Sequence, residues 1–258
     1  MNILKMEKRY YVFDEKTFSR LIKLLRTMTT YTMEKPEKRK LTDYYYDNKE
    51  NMLEKNELFL RRRVYGKKAQ LKIKRRYFHP EFYYSDNLRS NERETEINAT
   101  DALSKHFFFL NNALNSMFTN TLQFDTDKMF EKMHSTMIIG INQDRRFLFG
   151  YGGLKVEISQ DILNAENLVT KRKNKTEMVQ FRLVSPENTL PLFEDLITRL
   201  ERHCKEIFYT QDSKYEAVYK ITQPLLTKEE KLKLKEEILK KKQMQDAGES
   251  IVEKKGEK

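Results

Sequence analysis

Residues 58–75 read LFLRRRVYGKKAQLKIKR. Gly66 marks a turn, and the segments on either side of it alternate in character. Successive side chains of a strand point to opposite faces, so Leu58 and Leu60 take one face while Arg61 and Arg63 share the other. Beyond the turn, Leu71 and Ile73 oppose Lys72 and Lys74. The stretch therefore predicts a hairpin with one apolar face and one face made of cations.

The same division recurs along the chain. Lys5, Glu7 and Arg9 share a face in the first predicted strand. Lys155 and Glu157 oppose Leu154, Val156 and Ile158, and Gln180 and Arg182 oppose Val179, Phe181 and Leu183. A sheet with one face on a core and the other in water is the ordinary reading of such alternation. A solvated face normally mixes signs, however, and like charges placed across a ladder repel. Inner faces so rich in Lys and Arg are easier to understand around a polyanion or its bound metal.

Composition agrees. The 258 residues carry a formal net charge of +11, which calls for an anionic partner such as nucleic acid, a phosphorylated metabolite, polyphosphate or an acidic membrane. From Leu225 onward there are ten Lys against eight acidic residues, so about +9 belongs to the part before it. The charge is thus part of a built site rather than a basic tail. Cys204 is the single cysteine, which excludes an intramolecular disulfide and a cysteine-based zinc site and suits a reducing compartment. The opening residues lack an apolar signal run, and no stretch approaches the roughly 18 apolar residues of a membrane span. The expected location is the cytoplasm, with any membrane contact supplied by a partner.

Strands are expected over residues 4–13, 41–46, 58–65, 69–77, 92–97, 137–141, 146–149, 154–158 and 178–184. Phe18, Leu21, Ile22 and Leu25 make a helical stripe after a cap at Asp14, and Phe193, Leu196, Ile197 and Leu200 make a second. The charged stretch 34–40 reads as a loop, and residues 101–133, with clustered Phe and Leu, read as helical. Thr227 and Glu230 open a charged helix that passes into a disordered tail. The expected division is a domain over 1–222 and an appendage over 223–258.

No P-loop, dinucleotide fingerprint, serine-hydrolase elbow or histidine pair at metal spacing occurs. His79, His106, His134 and His203 are scattered, and the run HFFFL at 106–110 reads as core.

The order of motifs resembles the triphosphate tunnel metalloenzyme superfamily, which includes CYTH-type phosphatases and the VTC-type polyphosphate polymerase domain. KMEKRYYV (5–12) is similar to its opening strand. TDYYYD (42–47) followed by LFLRRRVYG (58–66) is similar to its aromatic-Asp turn and L-R-x-R strand, and AQLKIKRR (69–76) to the next strand. NQDRRFLFGYGGLKVEI (142–158) resembles the VTC-type pattern, MVQFRL (178–183) stands at a late E-x-K or E-x-E strand, and SKYEAVY (213–219) resembles the closing segment. The resemblance runs from Lys5 to about Tyr219.

It implies an α+β fold, an eight-stranded antiparallel β-barrel open at both ends with surrounding helices, whose lining binds a triphosphate or polyphosphate. Phosphate binding maps onto Arg9, Arg61, Arg63, Lys74, Arg145, Lys155, Arg182 and Lys214. The implied cofactor is Mg²⁺ or Mn²⁺, held first by Glu7, with Glu94, Glu96 and Glu157 as further candidate ligands. Two positions depart from the CYTH pattern: Lys5 stands where a first Glu is usual, and Gln180 where a metal-binding Glu is usual. A neutral amide is a much poorer ligand for a hard cation. Three functions follow, in this order: metal-assisted phosphoanhydride chemistry on polyphosphate, triphosphate or a nucleoside triphosphate, by a triphosphatase or polymerase; a binding module for the same anions with weakened catalysis; and an RNA 5′-triphosphatase or RNA-binding protein.

Overall fold

A computed structural model describes residues 4–12, 15–28, 30–75, 82–84, 92–117, 130–184, 189–210 and 212–223. The elements are β1 (Leu4–Val12), α1 (Glu15–Thr27), β2 (Tyr31–Met33), β3 (Glu37–Asp47), α2 (Met52–Lys55), β4 (Leu58–Tyr65), β5 (Lys68–Arg75), β6 (Phe82–Tyr84) and β7 (Glu92–Asn98). There follow α3 (Phe107–Met117), β8 (His134–Gly150), β9 (Lys155–Asn167), β10 (Arg172–Leu183), α4 (Leu190–His203), β11 (Ile207–Thr210) and α5 (Lys214–Thr222). The cap at Asp14, the turn at Pro80 and the appendage from Thr227 onward lie outside the described residues.

The strands form one antiparallel sheet in the order β11-β1-β10-β9-β8-β3-β4-β5-β7, with β2 on β8 and β6 on β1. Gly66, at φ +64°, turns β4 into β5 in the left-handed region that a two-residue hairpin loop requires. The expected class, α+β with an antiparallel sheet, is the observed one. The count differs from the eight strands expected: eleven are described, and the path of ladders ends at β7 and β11 without strict closure. The sheet curves instead. Lys72 and Lys74 of β5 line the same cavity as Glu7 and Arg9 of β1, so the two ends of the sheet come together around it.

Burial shows why the sheet curves this way. The apolar faces of β1, β10, β9 and the end of β8 carry Tyr10, Val156, Ile158, Val179, Phe181 and Leu148, and they pack under the stripes of α1 and α4. Those stripes are the Phe18, Leu21, Ile22, Leu25 set and the Phe193, Leu196, Ile197, Leu200 set read from helical spacing. On the other wall, Leu58, Leu60, Leu71, Ile73 and Ile97 pack under Leu110, Ala113 and Leu114 of α3. With both outer faces covered by helices, the cationic faces are left facing inward.

A third apolar cluster lies on the inward face itself. Tyr45, Phe59, Met137, Ile139, Ile141, Leu163, Ala165 and Met178 meet Ala217 and Val218 of α5. Tyr215 packs against Tyr45 in a tilted pair with ring centroids 4.5 Å apart, and Tyr219 stacks on Tyr215 at 5.5 Å. This cluster, whose Tyr45 and Phe59 also line the cavity described below, packs α5 against the inward face. The closing segment is the helix Lys214–Thr222, packed against the inward face of the sheet.

Several strands extend well beyond their expected limits. β3 begins at Glu37 inside the expected loop, β8 runs unbroken through 142–145, and β9 continues to Asn167. Residues 37–40 and 142–145 are polar on both faces, and 159–167 mixes polar and apolar residues on each, so these extensions lack the alternation that signals a strand.

Candidate anion-binding tunnel

A cavity of about 900 Å³ occupies the remaining interior. Its walls carry Arg9, Arg39, Lys40, Arg61, Arg63, Lys72, Lys74, Arg145, Arg182 and Lys214 against four carboxylates, Glu7, Glu92, Glu94 and Glu157. Seven of the eight residues expected to bind phosphate therefore converge on one enclosure. The eighth, Lys155, lies outside the lining, with its Nζ 4.7 Å and 5.1 Å from the ring centres of Phe147 and Phe149. Among the expected metal ligands, Glu7, Glu94 and Glu157 face the cavity. Glu96 does not, being exposed at the sheet edge with Lys68 at 2.6 Å and the Tyr65 hydroxyl.

Each wall aims its cations through a buried acid. Asp43 on β3 has no exposed surface and accepts two hydrogen bonds from Arg63, Nε to Oδ1 and Nη2 to Oδ2, both at 2.7 Å. Arg61 stands 3.9 Å from the same carboxylate and donates to Gln70 at 3.0 Å. Burial would raise the Asp43 pKa, but Arg63 and Arg61 hold it below the usual carboxylate range.

Across the cavity, Asp161 on β9 is equally buried. It accepts from Lys214 at 2.8 Å, from the Gln143 amide at 2.7 Å and from the Ser159 hydroxyl at 3.2 Å. Glu157 accepts from Arg145 at 2.8 Å and also from Arg182. Glu7 accepts from Arg9 at 2.6 Å. Burial would raise the Glu7 pKa, but Arg9, followed by Arg182 and Lys214, brings it down.

Not all of the donor capacity is used. The Nε–H groups of Arg61, Arg145 and Arg182 are buried with no hydrogen-bond partner among the described residues. A buried donor left unpaired costs about 1–3 kcal/mol. Lys74, with its Nζ 4.7 Å from the Phe59 ring centre, is pushed down to about 8, first by burial and then by Arg9, Lys72 and Arg61, against the opposing pull of Glu92. An excess of six positive charges over the lining carboxylates, four once the buried Asp43 and Asp161 are counted, with orphaned guanidinium donors, is a surface preorganised for an anion.

A divalent cation asks for something else: several carboxylate or carbonyl oxygens converging on one point. Among the described residues no group of three or more His, Cys, Asp or Glu is placed to hold a metal ion. Glu7 and Glu157 are engaged by arginines, and Gln180, which faces Arg9 and Ser159 across its two ladders, is neutral. The described residues do not fit a resident Mg²⁺ or Mn²⁺ ion.

Arg39, Lys40, Asp43 and Asp161 were not foreseen as site residues. Asp161 continues the alternation 155, 157, 159 on β9, so the period of two extended further along that strand points to it. Arg39 and Lys40 lie in the stretch expected to be a loop, and no local signal marks them.

No protein-family model matches this chain, and no curated protein matches it. Solved structures do. A candidate adenylyl cyclase from Hippeastrum with a dominant triphosphatase activity aligns over 87% of this chain and 98% of its own, at 14% identity and a TM-score of 0.50. A candidate adenylate cyclase from Bacillus halodurans aligns over 84% and 97%, at 13% identity and a TM-score of 0.45. The Hippeastrum likeness shows the fold: an antiparallel sheet of many strands with helices around it, as in that protein. Among the described residues no helix is long and apolar enough to cross a membrane.

Proposed function

We propose that this chain, through a tunnel domain spanning 1–222, binds the triphosphate portion of inorganic triphosphate, a polyphosphate end or a nucleoside triphosphate and transfers its terminal phosphoryl group to water. The observation that carries this reading is the convergence of ten cations on one cavity. Phosphoryl transfer is chiefly a matter of alignment and charge neutralisation, which fixed guanidinium groups supply. Arg61, Arg63, Arg145 and Arg182 hold the chain of phosphates. Water attacks the terminal phosphorus and releases a proton to solvent, the anhydride P–O bond breaks, and the leaving oxygen receives a proton from Lys74 in its ammonium form, which solvent then reprotonates. A lysine whose pKa is about 8 exchanges that proton near neutral pH.

The likeness to a Hippeastrum protein with triphosphatase activity is in keeping with hydrolysis. The RNA reading is less well supported, because cations recessed in a cavity suit a 5′-triphosphate better than a continuous backbone. The test is phosphate release from tripolyphosphate, together with the melting temperature in its presence. A large upward shift is expected, and Arg61→Ala with Arg63→Ala removes most of it. Absence of any shift with triphosphate or polyphosphate rejects the reading. Binding without phosphate release leaves the chain as a binding module.

A further inference from the structure

We infer that this tunnel takes its phosphate chain as the free anion, and that a divalent cation competes for the ligand instead of bridging it to the protein. The inference rests on the triphosphate reading above and concerns how the charge is balanced.

The carboxylates that a bridging metal would recruit are already in use. Glu157 accepts from Arg145 and Arg182, Glu7 accepts from Arg9, and Glu92 and Glu94 both pair with Lys72. Turning any of these toward a metal would break charge-assisted hydrogen bonds and release their partners into a site already crowded with cations. Asp43 and Asp161 are fully buried behind the cations they brace, with Arg63 and Lys214 between them and the cavity. The position that could complete a cluster on β10 is the neutral Gln180.

Charge arithmetic points the same way. Ten lining cations against the four lining carboxylates and the buried Asp43 and Asp161, which pair with Arg63 and Lys214, leave an excess of four. Tripolyphosphate near neutral pH carries roughly four to five negative charges, about one for each inner phosphoryl and up to two at a terminus. The free anion therefore matches the lining closely. Its magnesium complex carries two fewer charges and leaves more of the cations unbalanced. The lining arginines do the neutralising that a metal ion does in sites built of carboxylates.

The test is calorimetric titration of the full chain with tripolyphosphate in buffer freed of metal by chelating resin, repeated with excess Mg²⁺ and with excess Mn²⁺. Tight binding is expected without metal, weakened by about tenfold or more when the metal sequesters the ligand. Binding that appears only with Mg²⁺ or Mn²⁺, or is strengthened by either, overturns this inference while leaving the triphosphate reading intact. No binding under any of the conditions overturns both. A titration with Mn²⁺ alone gives a second readout: no stoichiometric uptake is expected, and one saturable Mn²⁺ site per chain would overturn the inference.

Discussion

Lys214, the first residue of α5, donates to the fully buried Asp161 of β9 at 2.8 Å. The contact ties the helix packed against the inward face of the sheet to a strand that lines the cavity wall. Asp161→Ala removes the acid and leaves Lys214 uncompensated among cations. Loss of one partner of a buried pair costs about 3 kcal/mol, and urea unfolding reads it. Tripolyphosphate affinity should fall as well, because Lys214 is no longer aimed into the cavity.

Arg61 and Arg63 differ in what they hold. Arg63 makes both short hydrogen bonds to Asp43, whereas Arg61 is 3.9 Å away. Arg63→Ala should therefore destabilise the fold by about 3 kcal/mol. Arg61→Ala should cost less than half of that while weakening tripolyphosphate binding about tenfold or more. Parallel urea melts and titrations check the separation.

Lys74 makes binding depend on pH. Its folded pKa of about 8 lies below the ordinary 10.5, so between those values the unfolded chain holds a proton that the folded chain has lost. Folding stability attributable to this group rises with pH across that window, and its penalty is fully present below pH 8. Lys74→Met should thus raise the stability of the ligand-free chain at pH 7, a gain that fades as pH climbs through the window. An anion in the cavity favours the ammonium form, so binding near pH 8 should take up a proton, and affinity should decline as pH rises above it. Calorimetry in buffers of different ionisation heat measures the uptake, which Lys74→Met should abolish. If Lys74 is the proton donor, Lys74→Met also lowers turnover about a hundredfold.

On the triphosphate reading, the aromatic cluster of Tyr45, Tyr215 and Tyr219 limits how far a phosphate chain enters, since Tyr45 lines the cavity and Tyr215 packs behind it. Tyr215→Ala should destabilise by about 3 kcal/mol through the cavity it leaves. It should also raise the affinity for long-chain polyphosphate relative to tripolyphosphate. Competition between the two ligands, measured for both proteins, reads this ratio.

Alternation and helical spacing alone determined that residues such as Arg61, Arg63, Lys72, Lys74 and Arg182 oppose apolar faces, and that two helices carry stripes to cover those faces. These are local properties: a strand's period is two and a helix's is near 3.6, whatever the strand or helix packs against. The family motifs extended that pattern to an enclosed, cation-lined interior. Tertiary structure decided the rest. The run 37–40 is a strand because Gln143 and Arg145 pair beside it, which no local signal announces. Lys155 shares a face with Glu157 yet lies outside the cavity lining. The cations converge because helices cover both outer walls, and Asp43 stays charged despite its burial because Arg63 and Arg61 stand beside it. Where α5 packs, and whether carboxylates are left over for a metal, depend on contacts between residues far apart in the chain. Such contacts exist only once the sheet has curved.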